Sequence, residues 1–176
     1  MVPDDADLVA AARDGSRRAF EQLYRRHSGD VYGLCLRLTG RRESAEDCTQ
    51  ETFIAAWRGL ARFEARAGLA TWLHRIAVNA VVTRRRTPAA RLEALTASGE
   101  DAHLSVAGAD MEHPLDLERA IAGLPEGARH VLVLVGIYGH THAEAGAMLG
   151  LAEGTCKAQL HRARTLLGQQ LNEETH

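Results

Sequence analysis

Strand signals, long apolar runs and a cysteine framework are all missing from this chain, and each absence narrows what it can be. Its three cysteines, Cys35, Cys48 and Cys156, are odd in number and widely spaced, so neither a disulfide scaffold nor a Cys-x-x-Cys metal clip is offered. A reducing compartment follows as the expectation. No apolar run approaches the roughly 18 to 20 residues of a membrane span, and the first residues are acidic rather than basic. Together these predict a cytoplasmic protein with no membrane insertion. Lysine is nearly absent too: Lys157 is the sole lysine among 21 basic residues. Arginine's planar fork suits phosphate and base contacts, although a GC-rich gene would give the same bias.

Net charge is only -2, but it is unevenly distributed. Residues 1–86 carry 15 arginines against 11 acids, residues 87–123 carry 2 arginines against 7 acids, and residues 124–176 are nearly balanced. Basic residues cluster at Arg84, Arg85 and Arg86, and again at His161, Arg162 and Arg164. Two helical ends therefore flank an acidic middle.

Helical periodicity fills the first end. Phe20, Leu23, Tyr24, His27, Val31, Leu34, Cys35 and Leu38 recur at spacings of three and four, with Ser16 placed to cap the helix and Gly40 to end it. A second helix is expected from Ser44, where Ser44 and Asp47 approximate a capping box, to about Gly59. On it, positions 47, 50, 51, 54 and 58 share a face turned away from Phe53, Trp57 and Leu60. A third helix over residues 69–86 carries Trp72, Leu73, Ile76, Ala77, Ala80 and Val81, and Pro88 stops it. A short leading helix is expected near residues 5–13.

Residues 87–113 lose the periodicity and read as a flexible acidic linker. Helices resume over residues 115–123 and after Pro125, with Val131, Leu132, Leu134 and Val135 as core, then over residues 141–149 and 153–171. The fold class is thus all-α: two small helical domains, 1–86 and 114–176, joined by the linker 87–113.

The last two helices form a helix-turn-helix pattern. Thr141 and Glu144 have capping-box spacing, and Gly150 supplies the residue that tolerates positive φ in the turn. Cys156, Leu160, Ala163 and Leu167 make a buried stripe on the final helix, leaving Lys157, Ala158, His161, Arg162 and Arg164 outward. Such a helix can enter a major groove with its first residues at base edges. Periodicity alone supports a solvated amphipathic helix equally well.

Further residues decide between the two. Leu124-Pro125-Glu126, Gly139-x-Thr141-x-x-Glu144, Leu149-Gly150, Gly154-Thr155-Cys156-Lys157 and Leu160-His161-Arg162-Ala163-Arg164 closely resemble region 4 of the extracytoplasmic-function (ECF) sigma factors. Ala19-Phe20-Glu21-x-Leu23-Tyr24-Arg25-Arg26, Leu36-Arg37-Leu38-Thr39-Gly40, Ala45-Glu46-Asp47-x-x-Gln50-Glu51-Thr52-Phe53-x-x-Ala56-Trp57-Arg58 and Thr71-Trp72-Leu73-x-Arg75-Ile76-Ala77-x-Asn79 resemble that family's region 2. The resemblance covers residues 4–86 and 115–171 in the right order.

It implies residue roles. Asp47, Gln50 and Glu51 would dock on the clamp coiled coil of core RNA polymerase. Residues 62–70 and the helix after them would open the minus-10 element and hold a flipped base as single-stranded DNA, with Arg62, Arg66, Arg75, Asn79, Arg84, Arg85 and Arg86 as contacts. An Asn amide can read a base edge, and nearby cations suit the backbone. Trp72 reads as core twice as readily as a stacking platform, and the three arginines fit either phosphate contact or the helix dipole. The acidic linker would be either an RNA-mimicking connector through the polymerase or a disordered spacer. In region 4, Thr155, Lys157, Ala158, His161, Arg162 and Arg164 would meet duplex minus-35 DNA.

The sequence also departs from the family. Ala158 and Gln159 stand where Ser and Arg are usual, Val135-Gly136 replaces an Arg-Glu pair, and Cys156 replaces Val as a small buried residue. His140 and His142 lack a third ligand and read as loop residues more readily than as a metal site. No nucleophile with a positioned base, phosphate loop or cofactor motif is present, so no cofactor, metal or catalysis is expected. The implied function is that of a sigma factor directing promoter recognition and melting, held in check by an anti-sigma factor. A free-standing helix-turn-helix regulator is the rival, and it leaves the face of Asp47, Gln50 and Glu51 unexplained; a protein that only titrates a partner is a third reading.

Overall fold

The computed structural model describes residues 3–85 and 114–173. Among these every regular element is helical. Helix α1 (Asp5–Arg13) is capped by Asp4, whose carboxylate accepts from the Asp7 amide at 2.8 Å. Helix α2 (Arg17–Thr39) starts where the Ser16 hydroxyl accepts from the Ala19 amide, and ends at Gly40 in the left-handed region (φ 69°). The two caps of α2 fall where their local chemistry predicts.

Helix α3 (Arg42–Gly59) begins earlier than expected. Its N-cap is Arg41, and Ser44 lies inside the helix rather than capping it. The cause is the turn before it: Thr39 Oγ1 donates to the Cys35 carbonyl and accepts from the Arg41 amide, so the chain turns straight from Gly40 into α3. A 3-10 turn (Leu60–Arg62) and an irregular loop lead to α4 (Leu69–Arg85). Gly59 lies beside the Trp72 ring, whereas Asp47 meets Arg84, which makes α3 and α4 antiparallel. Their shared core includes Leu34, Cys35, Leu38, Cys48, Thr52, Ala56, Leu73, Val78 and Val81. Cys35 and Cys48 are both free, and burial pushes their thiols up to about 12 and about 11, so they pack as small apolar groups. The expected stop at Pro88 and the linker over 87–113 lie outside the described residues.

The second domain opens with α5 (Pro114–Ala122) and α6 (Glu126–Val131), with Pro125 at the N-cap of α6. Helix α6 passes directly into a π-helical stretch, Leu132–Ile137, closed by a bond from the Tyr138 amide to the Val133 carbonyl. The wider winding buries Val133 beside Val131, Leu132 and Leu134, and leaves Val135 only partly covered. Helix α7 (His142–Leu149) has the full capping box between Thr141 and Glu144, and Gly150 ends it with φ 69°. Helix α8 (Glu153–Glu173) packs Cys156, Leu160 and Ala163 inward, while Leu167 is partly buried against the same core. No described helix is long and apolar enough to cross a membrane.

Candidate functional site

The α7–α8 pair is held by a close backbone approach. A Cβ on Gly146 would lie 2.6 Å from the Leu151 carbonyl oxygen and 3.5 Å from Cys156 Sγ, so only glycine lets the turn pass this close to α7. The Leu151 amide donates to the Gly146 carbonyl at 2.8 Å, fixing the angle at which α8 departs. On α8, Thr155, Lys157, Ala158, His161, Arg162 and Arg164 are all exposed. Ala158, His161, Arg162 and Thr165 make the outward strip at spacings of three and four. Lys157 and Arg164, seven apart, line one edge, and Thr155 lies on the other. Lys157 pairs with Glu153 at 2.9 Å in solvent, an exchangeable contact of little energetic weight.

On α3, Asp47, Gln50 and Glu51 are exposed on one face, as their spacing requires. They do not stand alone. Arg84 of α4 reaches Asp47 Oδ2 at 2.7 Å and Glu51 Oε1 at 3.7 Å, joining residues that the sequence had assigned to two separate sites. Beside Gln50 opens a cleft of about 870 Å³ between α2 and α3, lined by Phe20, Tyr24, Tyr32, Phe53, Ile54 and Trp57. Trp57 was expected to face inward, but it is 40% exposed. The buried stripe of α3 runs through Ala45, Cys48, Thr52, Phe53 and Ala56, so Trp57 falls at its edge and rests on Phe20 with ring centroids 4.9 Å apart. Ile54 and Tyr24 are exposed at 45% each; Ile54 lies on the outward face that its spacing predicts, and Tyr24 of α2 extends the apolar surface beside the polar stripe.

In the loop before α4, Arg62 and Arg66 are exposed, and Arg66 pairs with Glu64 at 2.7 Å. Ala65 lies in the left-handed region at φ 56°, a conformation that costs a non-glycine residue about 1 to 2 kcal/mol. Arg75 and Asn79 are exposed one turn apart on α4. Trp72 is half-buried and packs on Phe63 with centroids 4.8 Å apart, so it is part of the core edge. Arg84 lies about two and a half turns beyond Arg75, on the opposite side of α4. The Arg85 side chain and all of Arg86 lie outside the description.

A fourth group joins the two domains. Helices α2 and α4 meet α5, α6, the π stretch and α7 along a polar seam. Arg37 forks onto Glu118 at 2.8 Å and donates to the Tyr138 hydroxyl at 3.2 Å. Arg129 and His130 both donate to the Leu38 carbonyl at 3.1 Å. His140 was expected as a loop histidine; it does sit in the turn before α7, but it is buried, with its Nε2 2.9 Å from His74 Nδ1. His74 Nε2 in turn meets Asp30 Oδ2 at 2.7 Å. A carboxylate only accepts, so His74 carries its proton on Nε2, and His140 donates to the bare His74 Nδ1. Burial and the neighbouring His74 hold the His140 pKa below its usual value, opposed by Glu144. Among the described residues, no three His, Cys, Asp or Glu side chains are grouped to hold a metal ion. Sequence gave no sign of this seam, because each pair spans dozens of residues.

Known proteins share this layout. The sequence matches the Sigma-70 region 2 family over residues 23–91 and the Sigma-70 region 4 family over residues 115–167. It is 40% identical to the ECF RNA polymerase sigma factor SigM of Mycobacterium tuberculosis, over 95% of this chain and 84% of that protein. It is 31% identical to the ECF RNA polymerase sigma factor SigW of Bacillus subtilis, over 94% and 95%. Its structure resembles CnrH in complex with the cytosolic domain of CnrY (TM-score 0.63, 32% identity, 96% of this chain and 97% of that one). It also resembles the sigma factor RpoE in complex with the anti-sigma factor NepR from Bartonella quintana (TM-score 0.69, 25% identity, 87% and 96%).

Proposed function

The chain belongs to the extracytoplasmic-function sigma factors, and from that premise we propose how its surfaces divide the work of transcription initiation. Helix α3 docks on core RNA polymerase through Asp47, Gln50 and Glu51, with the adjoining cleft of Tyr24, Ile54 and Trp57 receiving apolar side chains of the same partner. Central anchors of this kind, an aromatic side chain beside a polar rim, carry most of the energy of protein interfaces. Arg62, Arg66, Arg75 and Asn79 meet the single-stranded minus-10 element: the pair on α4 presents an amide and a guanidinium one turn apart, which suits an unstacked base and its phosphate. Helix α8 reads the duplex minus-35 element, with Ala158, His161 and Arg162 toward the bases and Lys157 and Arg164 toward the backbone.

The observation that carries this reading is the presence, in one chain of sigma descent, of two separate exposed recognition surfaces, one on α3 and α4 and the other on α8. The protein acts in the cytoplasm and contributes no bond-making chemistry; the polymerase supplies it. In this reading residues 1–86 serve polymerase and minus-10 contact, and residues 114–176 serve minus-35 contact. An anti-sigma factor holds the chain inactive. The solved complexes of CnrH and RpoE support this, because each pairs a similar chain with such a partner or a cytosolic domain. The closed seam through Arg37, His74 and His140 is the arrangement that partner would retain. Promoter-dependent run-off transcription with purified core enzyme tests the proposal.

A further inference from the structure

Among the described residues, the cation that reaches the proposed docking carboxylates comes from α4. Arg84 is only 28% exposed, while Asp47 and Glu51 keep 50% and 53% of their side chains in solvent. Its guanidinium takes Asp47 Oδ2 at 2.7 Å and lies 3.7 Å from Glu51, so it sits between two like charges that stand four residues apart on α3. Unbridged, such a pair repels. The fork of an arginine can span both carboxylates, which a single ammonium does less well. The outer half of each carboxylate stays open to a partner. Arg84 also points away from Arg75 and Asn79 around α4, so it does not share their surface.

We infer that Arg84 is a positioning residue for polymerase docking: it holds Asp47 and Glu51 in the rotamers that core polymerase meets, and is not a minus-10 phosphate contact. The inference rests on the proposed role of Asp47, Gln50 and Glu51. It also ties the docking face of α3 to the base-handling helix α4, because one guanidinium spans both.

The test is equilibrium binding of the full chain to core RNA polymerase without DNA, for the wild type, Arg84→Ala, Arg84→Lys, the pair Asp47→Asn with Glu51→Gln, and all three changes combined. Arg84→Ala should weaken binding about two- to fivefold, with Arg84→Lys in between. In the Asp47→Asn, Glu51→Gln background the Arg84→Ala change should have no further effect. A general loss of folding would persist in that background, so persistence overturns the inference. Unchanged or tighter binding of Arg84→Ala overturns it as well. If the carboxylate pair itself leaves affinity unaltered, the docking assignment fails; if the pair weakens binding and Arg84→Ala does not, only the positioning role fails.

Discussion

His74 of α4 and His140 of the turn before α7 share one hydrogen bond of 2.9 Å across 66 residues of sequence, closing the two domains on each other. His74 donates to Asp30 through Nε2, and its Nδ1 accepts from His140.

The sign of the pH effect follows. The closed state holds His140 below 6.5, by burial and by His74 and Arg75, against the pull of Glu144 and Asp30. Well above 6.5 the ring is neutral whether the domains are closed or apart, and the seam keeps its full strength. As pH falls below that value, separated domains take up the proton first, and closure weakens until the closed-state pKa is reached. Interdomain energy transfer in the labelled full chain should therefore fall as the pH drops below about 6.5. His140→Gln should flatten the curve. A distance independent of pH would contradict this account of the seam.

Gly146 and Gly154 make a matched pair on the helix-turn-helix. A Cβ at Gly146 meets a backbone carbonyl at 2.6 Å, whereas one at Gly154 meets nothing within 4 Å. Gly146→Ala should cost about 1 to 3 kcal/mol in thermal denaturation, and Gly154→Ala should be neutral or mildly stabilising. Equal melting temperatures for the two variants would refute the close approach.

Trp57 leans on Phe20 at the mouth of the α2–α3 cleft without being buried in it. As an anchor for polymerase, Trp57→Ala should weaken core binding by about 2 kcal/mol or more while helical content is preserved. Affinity within twofold of wild type would remove the cleft from the docking face.

Arg162 lies on the outward strip of α8, and Lys157 on its edge. Arg162→Ala should cost about 1 to 3 kcal/mol, concentrated at one minus-35 base pair. Lys157→Ala should lower binding to all sequences alike and reduce the salt slope. A uniform loss for Arg162→Ala would reassign it to the backbone.

The parts legible in sequence are those whose cause is local. Ser16, Gly40, Thr141, Glu144 and Gly150 act on amides and carbonyls within four residues, and each cap forms where its residue type demands. Arg41 displaced Ser44 because the Thr39 hydroxyl, two residues before that N-cap, reshaped the turn. Trp57 looked interior because periodicity marks a face but not its width. The Arg84–Asp47 pair and the histidine seam left no trace, since nothing near Arg84 or His74 in sequence names a partner on another helix.

The central claim is that this chain gives core RNA polymerase its promoter. Run-off transcription with purified core enzyme, the full chain and templates from start sites mapped after its overexpression measures that directly. A discrete transcript that requires the chain, and that disappears when Asp47, Gln50 and Glu51 are replaced by Ala, is the expected result. Tight specific binding to duplex DNA without polymerase, and no chain-dependent transcript, would contradict it.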